Sequence, residues 1–275
     1  WWRWPQFACV LLLLVCLIGV PVLNLLMQLG ISVEQLPDET YQRTWQAIHA
    51  IEMLGYSLWE FRREVGWSLL TSTVAATIAM AVAIPLAWLA RDGSWRAWPM
   101  MFFAALLFAL PGPLLGLFLI WSFNGPNWAW LNFLYDRSIL APTAALTLRA
   151  LPLVMIIAWY VLRSISQKTL DAAALDGAGT WRQLVLIALP QRVIPLIAAW
   201  LVGLAIAIGD LSASFLVLPP GTSPISRRIF EEVHYGVPDR VAGITLVTML
   251  LTSAIVLATV ALFAWYRQAR PSSAW

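Results

Sequence analysis

Long uncharged stretches, separated by polar connections, make up most of this chain of 275 residues. About 20 consecutive apolar residues cross the hydrocarbon core of a bilayer as a helix, and each stretch reaches that length. The pattern predicts six membrane-spanning segments, at about residues 7–30, 65–90, 97–123, 138–162, 193–218 and 241–266. Four of these segments contain no charged residue, whereas the fourth contains Arg149 and the fifth contains Asp210.

The composition indicates the same class of protein. Hydrophobic residues make up 61% of the chain, charged residues make up 11%, and the mean hydropathy is +0.77. A soluble domain does not need so much apolar surface. We therefore predict an all-α, polytopic membrane protein. The small net charge of +3 gives no indication of nucleic-acid binding.

The distribution of basic residues predicts the orientation of the chain. With the N-terminus inside the cell, the inner segments hold nine Lys and Arg residues and the outer segments hold seven. Basic residues are in excess on the cytoplasmic side of membrane proteins. We therefore expect both termini to lie in the cytoplasm.

The connection after the first segment, residues 31–64, is long and mixed in character. Its apolar residues recur at helical spacing, at Trp45, Ile48, Ile51, Leu54 and Leu58. An amphipathic helix on the outer membrane surface fits this pattern, and so does a folded loop with a half-buried helix. The predicted organisation is a first span with its outer loop (1–64), a five-helix core (65–266) and a tail (267–275).

The most specific motif lies between the fourth and fifth segments. Its members, at fixed spacing, are Asp171, Ala172, Ala173, Gly177, Ile187, Leu189 and Pro190. This pattern resembles the EAA loop of the membrane subunits of binding-protein-dependent ABC importers. The one departure is Asp171, where the family usually has Glu. Residues 163–192 are called the coupling loop below.

Local sequence predicts a helix–turn–helix in the coupling loop. An alanine-rich run over residues 170–176 favours a short helix, with Asp171 near its N-terminus, where an acidic side chain favours the helix dipole. Gly177 can supply a turn that a residue with a Cβ would resist. Thr180 and Gln183, three residues apart, match a capping box at the start of a second helix.

The resemblance implies a six-helix permease of the type I, MetI-like ABC importer architecture in a bacterial inner membrane. It implies that the coupling loop docks on a separate ATPase subunit. It also implies that a second permease copy or half completes the pore and that an extracytoplasmic substrate-binding protein delivers the substrate. Residues 67–69 and 85–91 resemble the same family.

Transport by alternating access needs no covalent chemistry, so we expect no catalytic residue, no cofactor and no enzymatic activity in this chain. The sequence has a single lysine, Lys168, and no glycine-rich loop that ends in Gly-Lys-Ser or Gly-Lys-Thr. ATP must therefore be hydrolysed by another subunit. The chain begins at Trp1 rather than Met. We expect further sequence before it, either a few residues or a whole preceding permease half.

Two features inside the predicted spans are candidates for the transport path. Pro111, Gly112 and Pro113 should break the third span near its middle, and interrupted helices point to transport routes. A packing kink is the alternative. Arg149 and Asp210 lie at similar predicted depths, and intramembrane charges face water or a partner. They either form a structural salt bridge or contribute to the path.

The last outer loop gives a weaker signal about the substrate. Residues 209–214 and 219–240 resemble permeases for ferric iron, with thiamine and phosphonate relatives. Candidate oxygen and nitrogen ligands for ferric iron are Glu231, Glu232, His234, Tyr235 and Asp239. An exposed loop that contacts the substrate-binding protein is the alternative. Ferric iron is the predicted substrate, with thiamine, phosphonate or another small solute as alternatives. An ion-coupled secondary transporter is the alternative from another class.

Overall fold

A computed structural model describes residues 3–35, 41–93, 95–124, 129–236 and 238–269. Most of these residues are helical, as the hydrophobic pattern predicts. The chain divides into two compact units, one formed by residues 1–66 and 223–251 and the other by residues 67–222 and 252–275.

The first unit begins with a long apolar helix. Residues Pro5–Gly30 are apolar enough over sufficient length to cross a membrane, which confirms the first predicted span. The elements that belong to this unit are α1 (Arg3–Leu14), a π-helix (Val15–Gly19), α2 (Val20–Gly30), β1 (Ile31–Gln35), β2 (Tyr41–Trp45), α3 (Ala47–Glu60) and α12 (Ile225–Tyr235).

The connection after the first span contains strands that the sequence analysis did not predict. Strands β1 and β2 pair antiparallel, with Ile31 opposite Trp45. The helical interpretation is therefore wrong at Trp45, and α3 begins only at Ala47. Helix α3 is partly buried, and Leu54 packs against a small core that includes Phe61. The folded loop with a half-buried helix fits this packing, while Ile48, Ile51 and Leu58 stay exposed on the other face of α3.

The second unit contains the other helices. They are α4 (Arg62–Leu89), α5 (Ala97–Ala109), α6 (Gly112–Phe123), α7 (Ala129–Arg137), α8 (Leu140–Arg163), α9 (Gln167–Leu175), α10 (Thr180–Gln183), a π-helix (Leu184–Ala188), α11 (Leu189–Gly209), a 3₁₀ turn (Phe215–Val217) and α13 (Pro238–Ala269). Helices α4 and α13 begin within the residues of the first unit.

Small residues allow α8 to lie at the centre of the second unit. Ala150 and Val154 of α8 are fully buried. A Cβ on Gly203 of α11 would lie 2.8 Å from Val154 Cγ2, so the two helices approach at a point where a larger residue does not fit. Close contact between small residues is the usual way in which helices pack within membranes.

The third predicted span is broken where the prolines predict. Helices α5 and α6 are bent by 104° relative to each other, at Leu110 and Pro111. Helices α4 and α8 run in the same direction, because Thr147 Oγ1 donates to the Ala75 carbonyl and, further along both helices, Trp159 Nε1 donates to the Ala90 carbonyl. The chain that leaves the end of α4 must therefore return across the membrane to the side on which α8 begins. Helices α5 and α6 together make this one crossing. With the five unbroken helices in the described ranges, this gives the six predicted spans.

The fifth span differs from its predicted bounds. The helix that contains it runs over Thr180–Gly209 with a kink at Arg192, so the predicted start at residue 193 follows the kink, whereas the helix ends at Gly209 rather than at residue 218. Asp210 is therefore not inside a helix but is the residue at which α11 ends, with extended backbone angles. The physical reason is that its carboxylate accepts hydrogen bonds from the residues that follow, which competes with helix continuation.

Candidate coupling and translocation sites

The first helix of the coupling loop begins earlier than predicted. Helix α9 starts at Gln167, with Ser166 before it, rather than at residue 170. Asp171 consequently lies in the second turn and not at the N-terminus, so the expected dipole interaction is wrong. Its carboxylate instead accepts a 2.8 Å hydrogen bond from Gln167 Nε2, one turn back on the same exposed face.

Gly177 ends α9 in a conformation that favours glycine. Its φ is +80°, in the left-handed region, which confirms the predicted turn. The Ala178 N–H donates to the Ala173 carbonyl at 2.9 Å, and the Gly177 N–H donates to the Ala174 carbonyl at 3.0 Å. This pair of bonds is the Schellman arrangement, which satisfies carbonyls at a helix C-terminus. A Cβ at Gly177 would meet nothing within 4 Å, so backbone conformation rather than space requires glycine.

The predicted capping box is wrong. Gly179 is the N-cap of α10, Thr180 is already the first helical residue, and no side chain caps the helix. Gln183 is 8% exposed, and its Nε2 donates to the carbonyls of Ala178, at 2.9 Å, and Leu170, at 3.3 Å. Its amide group therefore joins α10 to the turn and to α9, which holds the helix–turn–helix together.

The motif residues divide by exposure. The exposed members are Asp171, Ala172, Gly177 and Pro190, and the half-buried members are Ala173, Ile187 and Leu189. The loop also presents Leu175, which is 90% exposed, and Trp181, which is 53% exposed. This apolar pair was not predicted from the sequence. The pattern that could have indicated it is two large side chains on either side of a glycine turn in a loop of small residues. The loop thus presents a low-relief surface with two prominent apolar side chains.

Arg192 fixes the far end of the coupling loop. Helix α11 is kinked at this residue, where φ is −119° and ψ is 16°. The guanidinium donates to the Ser164 carbonyl at 2.8 Å and to the Tyr266 hydroxyl at 3.1 Å. The residue that follows α8 is therefore joined to α11 and α13 beside the kink. In the sequence, Arg192 was only one of the basic residues that predict the orientation, and these contacts were not predicted.

The broken third span packs against the segment that follows α11. A Cβ on Gly112, the first residue of α6, would lie 2.6 Å from Ser212 Cβ and 3.0 Å from the Ala213 nitrogen. Gly116, one turn along α6, would place a Cβ 3.1 Å from the Ala213 carbonyl oxygen. The non-helical segment after α11 therefore packs against the start of α6, next to the break in the third span. Membrane proteins tolerate irregular backbone only against protein or a water-filled path.

Arg149 and Asp210 form an ion pair beside this junction, which is one of the two alternatives that the sequence left open. Arg149 Nε lies 3.6 Å from Asp210 Oδ1. The Asp210 carboxylate also accepts from Ser212 Oγ at 2.9 Å and from the Ala213 N–H at 3.0 Å. The Asp210 side chain is 8% exposed whereas that of Arg149 is 35% exposed. The accessible charge of this pair is therefore the positive one.

Tyr135 holds the segment after Asp210 from another side. Its hydroxyl donates to the Leu216 carbonyl at 3.4 Å. Burial raises the pKa of the Tyr135 phenol, and the neighbouring Asp136 carboxylate raises it further. The hydroxyl consequently stays protonated at neutral pH and remains a donor.

Three of the five candidate iron ligands are engaged in other contacts. Glu231 pairs with Arg227 at 2.9 Å, Glu232 pairs with Arg228 at 2.9 Å, and His234 Nδ1 lies 2.8 Å from the Phe230 carbonyl. Within the ranges that the structure describes, no three His, Cys, Asp or Glu side chains are grouped to hold a metal ion. The geometry gives the iron-ligand hypothesis no support.

Comparison with known families decides the class of the protein. Residues 75–270 match the family described as the binding-protein-dependent transport system inner membrane component. The chain belongs to this family. It is a permease subunit of an ABC importer, a membrane transport component rather than an enzyme, and it works with an ATPase and a substrate-binding protein. The ion-coupled alternative is therefore wrong.

Individual relatives agree with this family. The probable sulfate transport system permease protein cysT of Zygnema circumcarinatum is 27% identical over 197 residues, which are 68% of each chain. A bacterial ABC transporter involved in import of the acidic polysaccharide alginate has a similar fold, with a TM-score of 0.64 and 16% identity over 95% of this permease and 94% of that chain. A second crystal structure of the alginate transporter, in complex with its pentasaccharide-bound periplasmic protein, has a TM-score of 0.62 and 18% identity, covering 93% and 92%.

Proposed function

We propose that the coupling loop of this permease docks on the ATPase subunit through α9, the Gly177 turn and α10. The observation that carries the proposal is the exposed, small-residue surface with Leu175 and Trp181 standing out from it. The Schellman turn and the Gln183 amide hold that surface in one shape. A rigid apolar projection can enter a groove on a partner with little loss of conformational entropy.

We further propose that the chain forms half of a pore with a second permease copy or half. The substrate would pass beside the junction of Gly112 with the 210–214 segment. Interrupted helices near the bilayer midplane are typical of transport sites, and the Arg149–Asp210 pair lies at this junction. Alternating access would open and close this path as the ATPase subunits bind and hydrolyse ATP.

The accessible charge at the junction favours an anionic substrate over ferric iron. The guanidinium of Arg149 is the exposed partner, and the Asp210 carboxylate is buried behind it. A relative named for sulfate and structural neighbours that import acidic alginate support the same class. Mass spectrometry of the ligand carried by the substrate-binding protein that co-purifies with this permease tests the proposal. An organic or inorganic anion is expected, and ferric iron or thiamine would contradict it.

The orientation and the coupling role make a joint prediction about topology. In a background without Cys9 and Cys16, Ala178→Cys should react with a membrane-impermeant maleimide only from the cytoplasmic side. Thr222→Cys should react only from the outside, because α11 separates the two positions. The check is labelling of intact cells against inverted vesicles, and the opposite pattern would overturn both proposals.

A further inference from the structure

The end of α4 is bonded directly to the coupling loop. Trp88, in the last turn of α4, is 1% exposed, and its indole Nε1 donates to the carbonyl of Thr180 at 3.1 Å. Thr180 is the first residue of α10. Trp88 also belongs to the buried cluster that contains Leu170 of α9 and Leu184, which follows α10. The hydrogen bond of this side chain therefore reaches the coupling loop directly, and its ring belongs to the same buried core as two leucines of the loop.

Three further contacts lie at the same end of α4. The Arg91 guanidinium lies over the Trp88 ring, 4.3 Å from its centroid. Trp159 Nε1 of α8 donates to the Ala90 carbonyl at 2.9 Å. The Arg163 guanidinium, at the end of α8, lies over the Trp159 ring at 5.0 Å. Two Trp–Arg pairs thus join α4 to α10 on one side and to α8 on the other.

We propose that Trp88 is a positioning residue that makes the end of α4 move together with the coupling loop, an inference that rests on the docking role proposed above. A buried indole N–H that loses its acceptor is left unsatisfied, which is costly. The ring also cannot leave the cluster without exposing a large apolar area. Displacement of α9 and α10 by an ATPase subunit would therefore carry α4 with it, and α4 leads from the coupling loop into the membrane.

The proposal is tested by a distance measurement on the whole complex. Cys9 and Cys16 are replaced by Ser, and spin labels are placed on cysteines introduced at Leu89 and Leu186, which are 46% and 69% exposed. Leu186 lies in the π-helix that directly follows α10, outside the proposed docking surface. The permease is purified with its ATPase and measured by electron double resonance with Mg-ATP and with Mg-ATP plus vanadate. With Trp88 present, we expect one Leu89–Leu186 distance within the permease subunit, and this distance should not change between the two conditions.

The variant Trp88→Phe keeps an aromatic ring and removes the N–H donor. We expect a second Leu89–Leu186 distance in the vanadate state, with a population raised about tenfold, which corresponds to about 1.4 kcal/mol. ATP hydrolysis per complex should continue, because the nucleotide sites belong to the ATPase. If the variant merely lost folded protein, the electron double resonance signal and the ATP hydrolysis would fall together. No second distance would then be seen.

A matched control is available at Trp200. Its Nε1 donates to Thr77 Oγ1 at 3.1 Å, a bond of the same length that joins α11 to α4 without involving α9 or α10. Trp200→Phe should therefore retain the single, unchanged distance. An unchanged distance in Trp88→Phe as well would overturn the proposal.

The wild-type measurement alone also decides the question if Trp88→Phe is not recovered as folded protein. A Leu89–Leu186 distance that changes on addition of vanadate would show that α4 and the coupling loop move separately, which would overturn the role of Trp88. Failure of the ATPase to co-purify with the wild-type permease is a different result. It would overturn the docking proposal on which this inference rests.

Discussion

Gly177→Asp should leave the permease in the membrane but uncouple substrate uptake from ATP hydrolysis. Gly177 has a φ of +80°, where a residue with a Cβ costs about 1–2 kcal/mol. That free energy would be recovered by unwinding the turn, which displaces the exposed surface from its docked position. Binding of the ATPase should weaken by about tenfold. The measurement is ATPase co-purification together with uptake into proteoliposomes.

Gly179→Asp is the matched control for this prediction. Gly179 lies two residues further along the same loop, has a φ of −68° and has open space around a Cβ. Asp is also favourable at the N-cap position that Gly179 occupies. The same added charge should therefore leave coupling intact at Gly179. Normal uptake by the Gly177→Asp permease would contradict the role assigned to the turn.

The parts of the coupling loop that the sequence predicted correctly are those set by local backbone preference. Gly177 ends a helix because glycine adopts a left-handed conformation without strain, and this follows from a single residue and its neighbours. The capping box failed because Gln183 finds acceptors at Leu170 and Ala178. Those carbonyls become available only once α9 and α10 fold against each other. No local pattern in the sequence specifies that contact.

The difference between local preference and contacts made on folding also explains which bounds of the membrane spans were predicted correctly. Hydrophobic length located the membrane-spanning helices, and the two prolines around Gly112 located the break in the third one. Hydropathy did not locate the end of α11, because residues 211–218 are largely apolar although they are not α-helical. Asp210 ends the helix by accepting hydrogen bonds from Ser212 and Ala213. A polar residue in an apolar run was thus a helix terminator as well as an intramembrane charge.

The Arg149–Asp210 pair extends this argument from fold to function. Both residues were found from sequence because ionisable groups in apolar segments are rare and require a reason. Sequence gave no information on which partner would be exposed, since that depends on the packing of α8 against the 210–214 segment. The structure buries Asp210 and leaves Arg149 partly accessible. This asymmetry underlies both the proposed preference for anions and the final prediction.

Removing one member of this pair should destabilise the permease, and removing both should restore much of the loss. Truncating one partner of a buried ion pair costs about 3–5 kcal/mol, because the other charge is left buried and unpaired. Arg149→Met leaves a carboxylate that is 8% exposed, so its cost should lie in this range. Asp210→Asn leaves a guanidinium that is 35% exposed and retains an acceptor for the Ala213 N–H, so its cost should be smaller.

The double variant, Arg149→Met with Asp210→Asn, separates a structural role from a transport role. If the two residues interact as the 3.6 Å approach indicates, folded yield and thermal stability in detergent should exceed those of Arg149→Met alone, although one more residue has been changed. Strictly additive losses would contradict an energetic interaction between them. If Arg149 also meets the substrate, the recovered double variant should bind the ATPase normally and yet fail to import. Uptake at the wild-type rate would show that the pair has only a structural role, which is to hold α8 against the end of α11.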